Sequence, residues 1–389
     1  MRYCLRCVQP DTRPGIFFSD EGICGGCLWE NSIKHLDWKA REQELRDIAQ
    51  RAQQAKSAYD CVIGVSGGKD STFQALYARN ALKLRCLLVN GEPGDITDIG
   101  KQNIENLKQL GFDTISIRPD PKLMRKLYRH DFFNGLNPNR AAEYALQSSV
   151  FIIADKFNIP LIIQGNNPGQ TAGACNDTGV DGNALNIWQH NTVKENPLDR
   201  YKDAVTDAQD LILYHIDMET IRRKGIVAVW LSNYVKEWSA FGNAVFAIRH
   251  GLQIRPADMD PYKRGFYRRF SSLDHTFQEV NQLLKHIKFG FGYATDQACE
   301  DIRFGHITRE EGIYLVRELD GKCDASLIQD FCKLIGITEQ EFWKHANAHR
   351  GPMWQQDEKS TWKIINPIWN QYDVHAQYSA IEIMRRLGI

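Results

Sequence analysis

A glycine-rich segment in the first quarter of the chain combines residue types that can hold a phosphate. Glycines let backbone N–H groups approach an anion, and a helix N-terminus adds a favourable dipole. Lys69 supplies a positive charge, and the carboxylate of Asp70 is suited to Mg²⁺ that bridges phosphate oxygens. The order of residues differs from the Walker A pattern, and a plain glycine turn is the structural alternative. This segment, the glycine loop, consists of Ser66, Gly67, Gly68, Lys69, Asp70 and Ser71.

Four of the ten cysteines form two close pairs near the N-terminus, with the spacing of a four-thiolate zinc site. A two-residue gap lets both thiolates of one tight turn reach the same tetrahedral ion. An iron–sulfur cluster and redox-active thiols are the alternatives. A four-cysteine site has no open coordination position, so we expect a structural zinc ion that takes no part in chemistry. The four ligands are Cys4, Cys7, Cys24 and Cys27, with Gly25 and Gly26 inside the second pair.

Short apolar runs alternate with amphipathic stretches from residue 59 onward, which predicts a parallel sheet covered by helices on both faces. Ligands bind beyond the carboxyl ends of the strands in such sheets, which is where the glycine loop stands. The predicted strands are Asp60–Val65, Leu84–Asn90, Thr114–Arg118, Ile159–Gln164 and Ile226–Leu231. The predicted helices cover about 70–82, 97–110, 120–130, 139–157 and 207–224.

Four regions follow from changes in sequence texture along the chain. Residues 1–33 form the cysteine module, and residues 34–57 are polar with apolar residues at helical spacing, which predicts a connecting helix. Residues 58–235 form the α/β domain, and residues 236–389 are predicted to be mainly helical. Two capping boxes support helices in the last region, Thr308 with Glu311 and Thr338 with Glu341.

The composition excludes several classes of protein. The chain has 389 residues, 43% hydrophobic and 25% charged, which is the profile of a globular protein and not of a disordered one. Lys and Arg number 48, as do Asp and Glu, so bulk positive charge does not attract nucleic acid. We find neither an apolar run long enough to span a membrane nor a secretory signal. We therefore expect a cytoplasmic protein with reduced thiols.

The glycine loop resembles the PP-loop of the ATP pyrophosphatase superfamily, which includes GMP synthetase, NAD synthetase and tRNA thiolation enzymes. The resemblance covers about residues 58–235. It implies that ATP is cleaved between the α and β phosphates: a substrate oxygen attacks the α-phosphorus, pyrophosphate leaves, and a nucleophile displaces AMP from the adenylated intermediate. It further implies that the loop binds ATP, with Lys69 and Asp70 as catalytic residues and Mg²⁺ as cofactor.

The same resemblance places other residues near the nucleotide. The end of the second strand, at Asn90, would lie near adenine. The end of a later strand, at Gln164, Gly165 and Asn166, would face the α-phosphate.

Three functions are compatible with such a domain: tRNA modification, ammonia transfer to a small molecule, and nucleotide binding without catalysis. A stretch of basic and aromatic residues, 262–270, favours tRNA, although a helix face with snorkelling arginines is an equally simple interpretation. The zero net charge weighs against a polyanion. Thiolation often needs a second cysteine pair, and Cys175 stands alone in the glycine- and asparagine-rich segment 165–183.

The C-terminal half resembles the N-acetyl sugar amidotransferase family. The resemblance rests on the segments 288–305 and 307–312, which follow a cysteine module and a PP-loop in the same order as in that family. These enzymes are associated with bacterial lipopolysaccharide O-antigen and related surface glycans. The family implies that the acetamido oxygen of a nucleotide-linked N-acetyl sugar is adenylated and replaced by ammonia. It also implies a separate glutaminase subunit that supplies the ammonia, often with a cyclase-like channel protein.

Three residues in or beside these segments are candidate contacts to the sugar nucleotide under that resemblance. Lys288 and Arg303 suit phosphate or carboxylate groups, and Asp296 suits hydroxyl groups. The structural alternative is a solvated helix face that carries a capping charge. A tRNA-thiolating enzyme remains the second interpretation of the whole chain.

Overall fold

The chain folds around one parallel sheet. The computed structural model describes residues 1–173, 181–190, 193–372 and 378–388. The strands of this sheet are β1 (Cys61–Gly64), β2 (Cys86–Gly91), β3 (Asp113–Ile117), β4 (Leu161–Gln164) and β5 (Val227–Trp230). All pairings are parallel, in the order β3-β2-β1-β4-β5. The predicted α/β fold is confirmed, and the strands start and end within a few residues of the predicted bounds.

Helices cover the sheet and make up most of the C-terminal half. Those of the first part are α1 (Gly25–Ser32), α2 (Trp38–Gln54), α3 (Lys69–Asn80), α4 (Asp98–Gln109), α5 (Pro121–Phe133), α6 (Arg140–Phe157), α7 (Pro168–Thr171), α8 (Pro197–Arg200) and α9 (Met218–Arg223). They are followed by α10 (Ala240–Arg249), α11 (Pro261–Arg264), α12 (Gln278–Phe289), α13 (Tyr293–Arg303), α14 (Arg309–Leu319), α15 (Ala325–Ile335), α16 (Glu339–Ala348) and α17 (Ala380–Leu387). A small antiparallel hairpin, β6 (Trp354–Gln356) and β7 (Trp362–Ile364), lies between α16 and α17.

Successive strand residues point to opposite sides of the sheet, and on both sides they are apolar and packed against helices, so both faces are buried. On one side, Val62 and Leu87 pack with residues of α5 and α6. On the other side, Ile63 and Leu88 pack with residues of α2, α3 and α4. The sheet is therefore covered by helices on both faces, and its carboxyl edge is where sheets of this kind ordinarily bind ligands.

The C-terminal helices belong to two different cores. Residues of α12, α15 and α16 share the core that covers one sheet face, where the ring of Phe342 stacks on that of Phe132 at 5.2 Å between centroids. Helices α13, α14 and α17 instead pack against the cysteine module, in a cluster that includes Cys27, Ala298 and Ile313. The first and last regions of the sequence thus share one core.

The predicted caps are present, and one predicted helix is wrong. Both capping boxes form, at the start of α14 and at the start of α16. The helix predicted over 207–224 is broken: a 3₁₀ turn covers Ala208–Leu211, and α9 starts only at Met218. The Asp217 side chain accepts hydrogen bonds from the first turn of α9, so it starts a new helix at that point. Among the described residues, we find no helix with the length and apolarity needed to cross a membrane.

Candidate functional site

The glycine loop joins β1 to α3 at the carboxyl edge of the sheet. Gly67 has a φ of +78°, and a Cβ at this position would lie 2.8 Å from the Gly100 carbonyl oxygen, so only glycine fits the turn without strain. Gly68 is the N-cap residue of α3 and has no side chain with which to cap the first turn. Uncapped N–H groups at a helix N-terminus are suited to bind an anion.

Asp70 is held by three polar side chains. Its carboxylate accepts hydrogen bonds from Lys69 Nζ at 2.9 Å, from Asn243 Nδ2 at 2.8 Å and from Asn166 Nδ2 at 3.5 Å. Burial alone would lower the pKa of Lys69, but the carboxylates of Asp70 and Glu300 raise it above its ordinary value. Lys69 is therefore a fixed cation at neutral pH.

Asn243, on α10, bears on whether this position fits a divalent cation. The residue is fully buried, and its Oδ1 atom has no hydrogen-bond partner among the described residues. Buried polar atoms are ordinarily paired, and Mg²⁺ prefers oxygen ligands. The carboxylate of Asp70 is a ligand that fits Mg²⁺, and the amide oxygen of Asn243 becomes a second one when the amide, whose Nδ2 faces Asp70 in this structure, is turned over.

Two further strand ends lie at the same edge. Gln164 is the last residue of β4, and Gly165 and Asn166 follow it. The Oδ1 atom of Asn166 accepts a hydrogen bond from Trp238 Nε1, which orients its amide toward Asp70. Asn90 in β2 is 2% exposed. Because these strands are parallel neighbours of β1, the structure brings the residues predicted near a nucleotide to one edge of the sheet.

A cavity of about 320 Å³ lies against the glycine loop. Lys69 and Asn166 line one side of it, and Tyr293 and Glu300 of α13 line another. Its volume is within the range of small-molecule sites, and it combines charged groups with aromatic surface.

Glu300 faces this cavity as an anion. It accepts a hydrogen bond from Arg268 Nη1 at 2.6 Å. Burial would raise the pKa of Glu300, but Arg268 and Lys69 lower it below its ordinary value. The cavity is thus lined by a lysine and a carboxylate, both charged, which interact electrostatically.

The basic and aromatic stretch 262–270 is mostly buried and offers no continuous surface. Phe266 and Tyr267 are fully buried, and Arg268 is 5% exposed. The second guanidinium nitrogen of Arg268 lies 2.7 Å from Asp301, so its charge is used inside the protein. The stretch was predicted as a tRNA patch or as a helix face with snorkelling arginines. Neither describes it, because only 261–264 are helical and the central arginine is enclosed by carboxylates.

Asp296 and Arg303, two of the three predicted substrate contacts, line the cavity. The Asp296 carboxylate accepts hydrogen bonds from Arg13 and Lys285. Burial would raise the pKa of Asp296, but Lys285 and Arg13 lower it. Arg303 donates from Nη1 to the Thr171 carbonyl oxygen at 2.9 Å. Both side chains are thus fixed by the protein at the cavity wall.

Lys288, the third predicted substrate contact, does not line this cavity. Its ammonium donates to the Gly135 carbonyl oxygen at 2.7 Å. Burial lowers the pKa of Lys288 to about 8, and the nearby Arg140 and Arg200 lower it in the same direction. The structure therefore separates Lys288 from Asp296 and Arg303.

A second cavity, of about 250 Å³, lies at the carboxyl end of β2. Gly91, Asp274 and His275 line it. Tyr293 lines both cavities, so it stands between them. The Asp274 side chain is hydrogen-bonded to Ser66, and burial raises its pKa above the ordinary value. The glycine loop therefore has contacts toward both cavities.

The four N-terminal cysteines cluster as their spacing predicts. Their sulfur atoms all lie within 4.8 Å of one another, and all four side chains are buried. The Cys4–Cys27 and Cys7–Cys24 sulfur separations are 3.9 Å and 3.6 Å. Four sulfurs at about 2.3 Å from one tetrahedral ion would lie about 3.8 Å apart, so the cluster fits a metal such as zinc.

Several residues of the site were missed by the sequence analysis. Tyr293 and Glu300 lie inside the segment that carried the family resemblance, and that segment was the available signal. Asn243 and Trp238 had no such signal, because amide and indole side chains near an ordinary helix are common in any sequence. Cys175 lies outside the described residues.

One comparison with known proteins bears on this site. Residues 264–368 match the family model described as LPS biosynthesis protein WbpG-like, C-terminal domain. The match covers just over a quarter of the chain, a part we call the WbpG-like segment, and it includes α13. It confirms the resemblance to lipopolysaccharide and glycan biosynthesis proteins and supports a role in the biosynthesis of a surface glycan. No curated protein matches the chain.

Proposed function

We propose that this chain is an ATP-dependent, AMP-forming amidotransferase of surface-glycan biosynthesis. It would adenylate the acetamido oxygen of a nucleotide-linked N-acetyl sugar and replace that oxygen with ammonia. The observation that carries the proposal is the shared cavity. Lys69, at a helix start suited to phosphate, lines the same cavity as α13 of the WbpG-like segment.

ATP would bind along the carboxyl edge of the sheet, in a PP-loop domain. The second cavity, at the end of β2, is placed to take the base, as the superfamily resemblance implies. The first turn of α3 and the ammonium of Lys69 would bind the β and γ phosphates. Asp70 and Asn243 would hold Mg²⁺, which when bound neutralises charge that develops on the departing pyrophosphate.

The acceptor would occupy the first cavity with its acetamido oxygen toward Lys69. That oxygen attacks the α-phosphorus, and the bond to the β-phosphate oxygen breaks as pyrophosphate leaves. Ammonia then adds to the amide carbon, and AMP leaves with the former acetamido oxygen. Glu300, an anion that lines the same cavity, would take the proton that the added ammonia loses. ATP is needed because an amide oxygen is a poor leaving group until it is adenylated.

Ammonia would come from a separate glutaminase subunit, with a cyclase-like protein as its channel, and the reaction would take place in the cytoplasm. The cysteine module would hold a structural zinc ion. The stretch 262–270, which favoured the second interpretation, tRNA thiolation, is largely buried and therefore does not support it.

The test is a reaction of the purified protein with ATP, Mg²⁺, ammonium and a UDP-linked acetamido sugar. We expect AMP and pyrophosphate together with an amidine, which mass spectrometry identifies by the replacement of one oxygen atom with an NH group. The matched control omits the sugar and should release no AMP. AMP that forms only with tRNA and a sulfur donor would contradict the proposal.

A further inference from the structure

The cysteine module also borders the cavity that the glycine loop borders. Trp29 of α1 and Trp38 at the start of α2 line the cavity whose other walls carry Lys69 and Glu300. Both indoles are half-buried. The metal-binding region and the reactive region therefore meet across a single space, although they are far apart in sequence.

The turn between the second pair of cysteines packs directly on the segment that follows β4. A Cβ at Gly25 would lie 2.7 Å from the Gly173 carbonyl oxygen. A Cβ at Gly26 would overlap the guanidinium of Arg303, which itself donates to the carbonyl oxygen of Thr171. The contact at Gly25 is with backbone and requires glycine, so this turn sets the position of α1 relative to the cavity.

The aromatic side chains on this wall have a chemistry that the proposed reaction does not yet use. Trp238, across the cavity, is the third half-buried indole that lines it. Its Nε1 donates to Asn166, and Trp38 Nε1 donates to the Ile33 carbonyl oxygen at 3.1 Å. Because the N–H groups of Trp38 and Trp238 are already paired, these two indoles contribute mainly apolar aromatic faces to the cavity lining, and Trp29 adds a further indole. Such faces bind the rings of sugars and nucleobases by stacking and burial.

We propose that Trp29 of the cysteine module, together with Trp38 at the start of α2, binds a ring of the acceptor, so that the metal centre positions part of the acceptor site. The identity of the ring as part of a nucleotide-linked sugar rests on the proposed function. The metal does no chemistry in this arrangement. It holds α1, and α1 carries Trp29 to the cavity.

Calorimetric titration with UDP-N-acetylglucosamine as the probe tests this assignment. We expect Trp29→Ala to raise the dissociation constant for the probe about tenfold or more, which is the size of a lost aromatic stacking contact. The dissociation constant for Mg-ATP should change by less than about twofold, because Trp29 is not among the residues proposed to contact the base or the phosphates. Trp29→Phe should restore most of the affinity, because it restores a planar ring.

Trp362→Ala is the matched control. Trp362 is also half-buried, but it lies on β7 and does not line the cavity. Metal content and thermal unfolding of each variant show whether the fold is kept. If Trp29→Ala does not fold, Trp29→Leu compared with Trp29→Phe makes the same test, since both keep an apolar side chain and only the latter keeps the ring.

Equal affinity for the probe in the Trp29 and Trp362 variants would overturn the assignment. An equal loss of affinity for Mg-ATP and for the probe would also overturn it, because the module would then act through the nucleotide half. Turnover separates this inference from the proposed function. Wild-type protein that binds the probe through Trp29 but forms no AMP contradicts the reaction and leaves the binding surface standing.

Discussion

Two pairs of adjacent glycines lie in segments that border the same cavity, through Gly26 and through Lys69, and they have different structural roles. Gly67 and Gly68 stand in the glycine loop, and Gly25 and Gly26 stand between two metal-binding cysteines. The first pair leaves helix N–H groups uncapped beside an open cavity. The second pair brings protein backbone and a guanidinium into contact and encloses four buried thiols.

The difference shows that a glycine pair does not by itself indicate a ligand site. In the glycine loop, Gly67 makes room for the backbone of α4, and Gly68 leaves the first turn of α3 without a side-chain cap. In the cysteine module, both glycines make room for other parts of the protein. Loss of the Lys69 charge in the first region should therefore reduce turnover before stability, and changes in the second region should reduce stability and metal content first.

Cys27→Ser should have the largest effect and should act on the module. Removing one of four ligands releases the metal, and metal binding free energy contributes to folding, so the free energy of unfolding should fall by on the order of 5 kcal/mol. Metal analysis and urea unfolding measure this. Cys323→Ser, outside the cluster, should change neither quantity. Full metal content in Cys27→Ser would show that the four thiols do not act as one site.

Lys69→Ala should lower the rate of AMP formation by about 10²–10³, because it removes a fixed cation from the phosphate site. Metal content and melting temperature should stay at the wild-type values, which sharpens the contrast with the module. Lys101→Ala, which changes an exposed lysine on α4, is the matched control. A wild-type rate in Lys69→Ala would remove the glycine loop from the reaction.

Gly67→Ala should lower turnover more than Gly336→Ala, although both residues have a positive φ, +78° and +69°. A Cβ at Gly67 meets the Gly100 carbonyl oxygen, whereas a Cβ at Gly336 meets no atom within 4 Å in the described part of the chain. Backbone strain of about 1–2 kcal/mol is common to both, so the difference isolates displacement of the loop. Steady-state kinetics and urea unfolding measure the two effects. Equal turnover in both variants would contradict the assignment.

Asp320→Asn should have the smallest effect, and that effect should depend on pH. Asp320 accepts a hydrogen bond from Thr295 N at 3.2 Å in the first turn of α13, the helix that contacts both the cavity and the module. Burial raises the pKa of Asp320 from 3.8 to about 6. The folded protein thus binds this proton more tightly than the unfolded chain does. The resulting stabilisation is complete below about pH 3.8 and is lost as the pH rises through about 6.

An asparagine at position 320 cannot ionise, so the variant should lose this part of the pH dependence. Urea unfolding of both proteins between about pH 4 and about pH 7 measures the slopes. Parallel slopes would show that Asp320 does not titrate with a raised pKa. A free energy of unfolding that is lower by the same amount at every pH would show only that the hydrogen bond from Thr295 N was lost.

Local patterns predicted the elements because they depend on residues close in sequence. The apolar runs before Ser66 and before Gly165 became β1 and β4, and Thr308 and Thr338 start helices through bonds to residues three positions later. The helix predicted over 207–224 was wrong for a reason that is also local. Asp217 caps a new helix, whereas periodicity alone extends one helical pattern across that residue.

By itself, the sequence determined the parallel sheet, the position of the glycine loop at a strand end, and the clustering of four cysteines from two close pairs. Each is a consequence of chain geometry over a few residues. Only the tertiary structure decided that Arg13 meets Asp296, that Arg268 is enclosed by carboxylates, and that Trp29 shares a cavity with Lys69. Packing of distant segments makes those contacts, and no periodicity encodes them, since they depend on which surfaces are buried together when the chain folds.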